Sequence, residues 1–114
     1  MIRICLVAIV AVASLAACGA DSPAKIPLRA DGTPDPELVA GAALFTAQCS
    51  RCHGATGGGG LGPRLADGGA KEKFASMADQ VEFVRKGKKA MPAFGLTLDE
   101  AEIEAVVRYT REVL

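Results

Sequence analysis

Two cysteines and a histidine near the middle of the chain have the types and spacing to hold a metal-bearing cofactor. They form the run Cys49-Ser50-Arg51-Cys52-His53. This run is the c-type haem attachment pattern, in which each thiol forms a thioether bond to the porphyrin and the adjacent imidazole binds the iron. We therefore predict one haem c, covalently bound to Cys49 and Cys52, with His53 as an axial ligand of the iron.

Three other sites could use the same side chains. A thioredoxin-like redox pair needs a strand–helix–strand context, and the sequence has no sustained strand pattern. A structural zinc site needs four ligands, but His53 is the only histidine, and the other cysteines belong to an N-terminal segment with a different role. A plain disulfide would leave His53 and the glycine-rich stretch after it unexplained. Haem attachment is therefore the best-supported reading.

The sixth coordination position of the iron needs a separate argument. Because there is only one histidine, the remaining choices are a methionine, a lysine, an external ligand or no ligand. Met77 falls on an apolar helical face, which is typical of a core residue. Met91 lies in a loop before Pro92, and this restricts Met91 to extended backbone from which a long side chain can point inward. We predict Met91 as the second axial ligand, and a His/Met pair raises the reduction potential of the iron.

The N-terminal segment predicts export. Arg3 precedes an apolar run at residues 4–13, which is shorter than the about 20 residues that span a bilayer. Leu15-Ala16-Ala17-Cys18 resembles the bacterial lipobox, and that resemblance implies cleavage before Cys18 and lipid attachment to it. Ordinary cleavage nearby, leaving a free thiol, is the alternative. We expect a signal peptide (1–17), a lipidated, proline-rich tether (18–36) and a haem domain (37–114), anchored on the periplasmic side of a bacterial membrane.

The remaining pattern is helical and predicts an all-α fold of three or more helices around one haem. Gly41 lies inside the first predicted helix and indicates a close helix crossing. Residues 54–72 hold eight glycines and predict a loop; we find no reason in the sequence for the richness of the run from Gly57 to Gly60. The predicted helices, each with its cap, are 37–49 after Asp35, 78–86 with a capping box of Ser76 and Asp79, and 97–114 with one of Thr97 and Glu100.

Composition and charge exclude some classes of function. With 13 basic and 13 acidic side chains, the chain lacks the basic excess of a nucleic-acid-binding domain. Four Phe and one Tyr make a thin core, so we expect the cofactor to be needed for folding. A formal GxGxxG match in the glycine run lacks the strand and helix that a nucleotide site needs. The basic cluster of Arg85, Lys86, Lys88 and Lys89 is either a solvated helix end or a rim that steers an acidic partner.

From Gly41 to Tyr109 the sequence resembles the short class I bacterial cytochromes c, including the domains found in cbb3-type oxidases. Gly41 and Phe45 match the first helix of that family, and Tyr109 matches the aromatic residue of its last helix. The resemblance implies that these two helices cross at near right angles. It also implies the Met91 loop, and a hydrogen bond from the axial His53 to the carbonyl of Pro63 in the Gly62-Pro63 segment, which makes the imidazole more electron-rich.

These observations predict a one-electron carrier between membrane or periplasmic redox enzymes, without substrate turnover of its own. The expected partners are redox proteins, with a terminal oxidase or a dehydrogenase among the candidates, and the membrane through the lipid anchor. Nucleic acid is not an expected partner. Two alternatives stay open: a haem enzyme or gas sensor with an open sixth position, and a dedicated subunit of a larger dehydrogenase or oxidase.

Overall fold

The computed structural model describes residues 25–114. All the regular secondary-structure elements in that range are helical. The predicted all-α fold is confirmed. None of these helices is long and apolar enough to cross a membrane. The predicted signal peptide and Cys18 lie outside the described residues. In chain order the elements are α1 (Pro36–Leu44), a π-helical turn (Phe45–Cys49), α2 (Ser50–His53), α3 (Gly69–Lys73), α4 (Met77–Lys86), a 3-10 turn (Phe94–Leu96) and α5 (Glu100–Glu112).

Helix α1 begins as the sequence predicts and packs tightly on α5. The Asp35 carboxylate accepts hydrogen bonds from the backbone N–H groups of Glu37 and Leu38, which would otherwise lack partners. Gly41 is buried where the two helices cross, and a Cβ there would lie 2.2 Å from the carbonyl oxygen of Ala105. The predicted close crossing is therefore confirmed, and only glycine fits at that point of α1.

The first helix differs from the sequence prediction in its second half. Residues 37–49 were expected to form one α-helix ending at Cys49, but the backbone widens into a π-helical turn at Phe45 and then continues as α2 to His53. Gly54 ends α2 with a φ of 82°, a value that side-chain-bearing residues rarely adopt. The haem attachment motif therefore lies at the C-terminal end of a longer, irregular helix.

The start of α5 corrects the predicted capping box of Thr97 and Glu100. Asp99 is the N-cap, and it exchanges hydrogen bonds with Glu102 through both backbone N–H groups. Thr97 instead belongs to the end of the 3-10 turn, because its hydroxyl and backbone N–H both donate to the carbonyl of Phe94. Asp99 and Glu102 have the same three-residue spacing, and because Thr97 belongs to the preceding turn, they form the capping box in its place.

Helix α4 lies where it was predicted, but the capping box of Ser76 and Asp79 is only half formed, because the Asp79 carboxylate accepts from the Ser76 hydroxyl and not from its backbone N–H. Ser76 caps the helix by accepting a hydrogen bond from the N–H of Asp79, and the N–H of Gly87 bonds to the carbonyl of Phe83 at its end. The helix packs on α5 and supplies one of two apolar clusters. Those clusters are centred on Val84, Ile103 and Val107, and on Phe45, Val106 and Tyr109.

The glycine-rich segment contains one short helix that the sequence did not predict. Helix α3 follows Gly68, which has a φ of 84°. Ala70 is fully buried, and a Cβ on Gly69 would lie 2.6 Å from the carbonyl oxygen of Arg64. A small-residue pair thus allows one helical turn to pack against the loop, although no apolar periodicity marks it in the sequence.

The second half of the predicted tether packs on the domain. Residues 26–35, which we call the N-terminal strap, fold back on themselves, and Leu28 and Pro34 form an antiparallel bridge. The N–H of Arg29 donates to the carbonyl of Thr33 at 2.8 Å. Ile26 packs against the cluster of Phe45, Val106 and Tyr109. Apolar contact and turn hydrogen bonds therefore outweigh the extended preference of the prolines.

Arg108 of α5 forms ion pairs with the end of the strap and with the start of α1. Its guanidinium donates to Asp35 at 3.2 Å, to Glu37, and to Glu112 within α5. These hydrogen bonds, that of Glu112 foremost, raise the pKa of Arg108 well above its usual value, against the opposing effect of burial. Four side chains from three parts of the chain thus form one charged network that joins the strap, α1 and α5.

Candidate haem-binding site

The imidazole of His53 is held in one orientation. Only 8% of the residue is exposed, and Nδ1 lies 2.8 Å from the carbonyl oxygen of Pro63. A carbonyl oxygen can only accept, so Nδ1 carries the proton and donates it to this bond. In the neutral ring the lone pair then belongs to Nε2, which is the nitrogen free to bind a metal.

Glycines wrap the loop around the end of α2, which gives most of the glycine run a structural reason. The N–H of Gly59 donates to the carbonyl of His53, and that of Gly62 to the carbonyl of Cys52, both at 2.8 Å. A Cβ on Gly62 would lie 2.7 Å from Cε1 of the His53 ring. Gly59 has a φ of 100°. At Gly58 nothing in the structure requires glycine.

The two thiols are free and partly buried. Cys49 packs against the cluster of Phe45, Val106 and Tyr109. Burial, with a smaller effect of the neighbouring Cys52, raises the pKa of the Cys49 thiol to about 11. Reactive redox cysteines have lowered pKa values, so a protonated Cys49 at neutral pH argues against a thioredoxin-like pair.

Met91 lies at the end of a tight turn beside the cluster centred on Val84. Lys88 and Met91 exchange two backbone hydrogen bonds, each of 3.1 Å. Gly87 has a φ of 65°, and a Cβ there would lie 2.5 Å from the carbonyl oxygen of Pro92. The Met91 side chain is partly buried and packs against the cluster centred on Val84. The turn therefore fixes the backbone from which the thioether projects.

These residues fit a covalently attached haem. The chain offers two unpaired thiols, an imidazole with Nε2 free, and a thioether on a constrained loop, which together are the donor set of a c-type site. Leu61 follows the His53 segment in the sequence and is 90% exposed. Leu96 follows the Met91 segment and is 87% exposed. Within residues 25–114, no group of three or more His, Cys, Asp or Glu side chains could hold a bare metal ion.

Sequence reasoning missed a buried polar group between α4 and α5. Gln80 is 3% exposed and donates to the Thr110 hydroxyl at 2.9 Å, while its amide oxygen accepts from Arg111 at 3.1 Å. The only signal in the sequence is that Gln80 shares a helical face with Met77 and Val84. Arg64 forms exposed ion pairs with Asp67 and Glu72 at the end of the glycine loop.

Comparison with known proteins is consistent with this geometry. Residues 36–109 match the family model described as cytochrome c oxidase, cbb3-type, subunit III. Over 80 residues the chain is 41% identical to cytochrome c6 of Aphanizomenon flos-aquae, a match that covers 67% of this chain and 90% of that protein. Cytochrome c6 of a Synechococcus species is 39% identical over 75 residues, covering 64% of this chain and 67% of that protein.

Solved structures give the same result. Cytochrome c6 of the diatom Phaeodactylum tricornutum superposes with a TM-score of 0.56 at 33% identity, covering 64% of this chain and 88% of that one. Cytochrome cL of Methylophaga aminisulfidivorans superposes with a TM-score of 0.58 at 30% identity. That match covers 68% of this chain and 53% of the cytochrome cL chain, so the chain spans about half of that larger protein.

Proposed function

The chain belongs to the class I c-type cytochromes, within the cbb3-type cytochrome c family, and from that membership we propose how its own residues carry out electron transfer. It is a monohaem c-type electron carrier, not an enzyme, and its cofactor is one covalently bound haem c. The iron of such a haem takes up and releases one electron. The His53 ring carries the proposal, because its orientation leaves Nε2 for the iron.

Cys49 and Cys52 are the proposed attachment points, and His53 and Met91 the proposed axial ligands. The Pro63 carbonyl accepts the Nδ1 proton of His53 at 2.8 Å, which prevents the ring from turning and makes it a stronger donor. The thioether of Met91 is a soft ligand that favours the ferrous state and raises the reduction potential. With both axial positions filled from the chain, no substrate has access to the iron.

The proposed partners are redox proteins with an acidic docking face. Arg85 and Lys86 are both paired with the single carboxylate of Glu82, which offsets one of the four positive charges of the basic cluster. Lys88 and Lys89 are exposed, and in the described part of the chain neither forms an ion pair. They lie in the turn that carries Met91, where positive charge would steer an acidic partner and give a weak, transient complex.

Export and lipid anchoring are proposed from the N-terminal sequence. Residues 1–17 have the pattern of a lipoprotein signal peptide, and Cys18 is the proposed lipidation site. The tether would then run over 18–36 and the haem domain over 37–114, on the periplasmic side of the membrane. The partner in such a setting could be an oxidase or a dehydrogenase, and co-purification distinguishes a free carrier from a fixed subunit.

One set of spectra tests the site. The protein is made in a host that matures c-type cytochromes, and its intact mass and oxidised and reduced absorption spectra are recorded. We expect one haem per chain, a pyridine haemochrome typical of two thioether bonds, and the near-infrared charge-transfer band of iron–methionine coordination. Colourless protein with two free thiols would contradict the proposal.

A pair of variants separates the two methionines. Met91→Ala should abolish the near-infrared band and allow carbon monoxide to bind the reduced protein. Met77→Ala removes a similar side chain from the helix face of α4, and it should keep the band and exclude carbon monoxide. Carbon monoxide binding to the unaltered protein would instead support the haem enzyme or gas sensor.

A further inference from the structure

Three buried residues of the first helical region have unequal spacing. Leu38, Phe45 and His53 are 2%, 1% and 8% exposed. Because an α-helix turns about 100° per residue, the seven residues from Leu38 to Phe45 end about 20° short of two full turns. The eight residues from Phe45 to His53 would end about 80° past two turns in the same geometry. A regular α-helix would therefore point Cys52, not His53, in the direction of Phe45.

The π-helical turn absorbs the additional residue. At its end the N–H of Ser50 bonds to the carbonyl of Phe45, five residues back instead of four. A π turn inserted into an α-helix accommodates one extra residue, so His53 returns to within about 20° of the direction of Phe45. Both side chains are buried in the structure.

The local sequence favours this wider turn. The Thr46 hydroxyl donates to the carbonyl of Ala42 at 2.9 Å, and the Ser50 hydroxyl donates to the carbonyl of Thr46 at 2.7 Å. Hydroxyl groups that bond back to helix carbonyls bend helices and provide partners where the regular ladder is disturbed. Ala47 and Gln48 are exposed, so the widening displaces no core side chain.

Both flanks of the turn are fixed by tertiary contacts. The Phe45 ring packs against Tyr109 with ring centroids 5.6 Å apart, and His53 is bonded to Pro63. Neither residue can rotate to accommodate the other without losing its partner. The eight-residue spacing is thus compatible with both contacts only when the helix contains one turn that is a residue longer.

We propose that the π-helical turn of Phe45–Cys49 is a register adjustment that presents the haem attachment motif to the core side of the helix. This inference rests on the proposed haem site and adds to it the element that orients that site. The inference predicts that this helix tolerates a single-residue deletion at one place, which a regular helix would not. Removing one residue inside the turn should leave a regular α-helix with Phe45 and His53 still aligned.

Two single-residue deletions test this consequence. Deletion of Ala47, inside the turn, should give protein with covalent haem at a yield within about twofold of the parent, with the iron–methionine band retained. Deletion of Ala43, another exposed alanine in α1, turns Phe45 away from the core by about 100° relative to Leu38. Losing a buried Phe costs enough stability that haem yield should fall more than about tenfold.

Intact mass and the near-infrared spectrum are the readouts for both variants. Equal loss of covalent haem in both deletions would overturn the inference, because the turn would then have no special tolerance. Unaltered protein without haem would instead refute the proposed function itself, so the two failures are distinguishable.

A measurement on the unaltered protein does not depend on either variant folding. In the reduced, diamagnetic state, NMR coupling across the hydrogen bond should connect the amide nitrogen of Ser50 with the carbonyl carbon of Phe45. A coupling from Cys49 to Phe45 instead would show a regular α-helix and would overturn the inference.

Discussion

Gly41 of α1 lies so close to Ala105 of α5 that a Cβ on the glycine would be 2.2 Å from the alanine carbonyl oxygen. The same Cβ would be 2.9 Å from Cβ of Tyr109. Both obstacles belong to a helix backbone or to the atom next to it, so neither can move aside as the end of a flexible side chain could. The crossing of the two terminal helices therefore depends on the missing side chain.

We predict that Gly41→Ala destabilises the haem-containing protein by about 1–3 kcal/mol or more, as overpacking of a close crossing does. The midpoint of guanidinium unfolding, followed at the haem absorption band, measures this change. Ala43→Ser alters an exposed position on the same helix and should leave the midpoint within error. Equal midpoints for Gly41→Ala and the parent would contradict this prediction, because they would show that the two helices can move slightly apart without loss of stability.

A second prediction concerns the ring of His53. In Gly62→Ala the new methyl group would come within 2.7 Å of Cε1 and 2.8 Å of Nδ1, so the ring must move and the bond to Pro63 weaken. We expect haem to attach, but a fraction of the iron to lose its low-spin spectrum. Gly58→Ala, where the nearest atom is 3.7 Å from the new Cβ, is the matched control and should keep the parent spectrum.

The network around Arg108 predicts a loss of stability in acid. The hydrogen bond from Arg108 lowers the pKa of Glu112. Burial raises the pKa of Asp35, but the hydrogen bonds from Arg108 and from the backbone outweigh burial, so the pKa of Asp35 is also lowered. Carboxyl groups with lowered pKa stabilise the fold above their unfolded-state pKa of about 4, and lose this contribution as the pH falls through the folded-state values.

Arg108→Gln should therefore reduce the difference in unfolding midpoint between about pH 6 and about pH 3. Arg64→Gln removes ion pairs that are exposed, and pairs of that kind contribute little, so its pH profile should match that of the parent. An unchanged profile in Arg108→Gln would assign the acid sensitivity to other groups.

Folding should depend on the cofactor. In residues 25–114 the buried apolar residues number only nine, and two of these are alanines. The double variant Cys49→Ser/Cys52→Ser, which cannot bind haem covalently, should lack a cooperative thermal transition in circular dichroism. A sharp, native-like melt of this haem-free protein would contradict the prediction.

Most of the fold follows from local signals in the sequence. Asp35 and Ser76 cap the helices that they were predicted to cap, because a short polar side chain before an apolar periodic segment satisfies free N–H groups wherever the helix packs. At α5 the same rule pointed to Thr97, whereas Asp99 is the cap in the structure. The choice of Asp99 over Thr97 depends on the preceding 3-10 turn, which is a tertiary feature.

The features that the sequence did not predict depend on contacts between distant segments. The strap is ordered because Ile26 reaches the core and Asp35 reaches Arg108, and neither pairing is visible in a linear pattern. The π-helical turn can be recognised only when the tertiary contacts of Phe45 and His53 are known, because these contacts fix the two flanks between which one residue is extra. The glycines around His53 are explained only when the loop is seen folded against the end of α2.

The strap also changes how closely the domain is held to a membrane. With lipid on Cys18, as proposed, eight residues separate the anchor from Ile26 and can span at most about 29 Å, whereas the 18 residues from Cys18 to Pro36 could span about 65 Å. The volume that the domain can explore scales with the cube of this span, so it shrinks more than tenfold. A partner embedded in the same membrane would meet the haem domain at a correspondingly higher effective concentration.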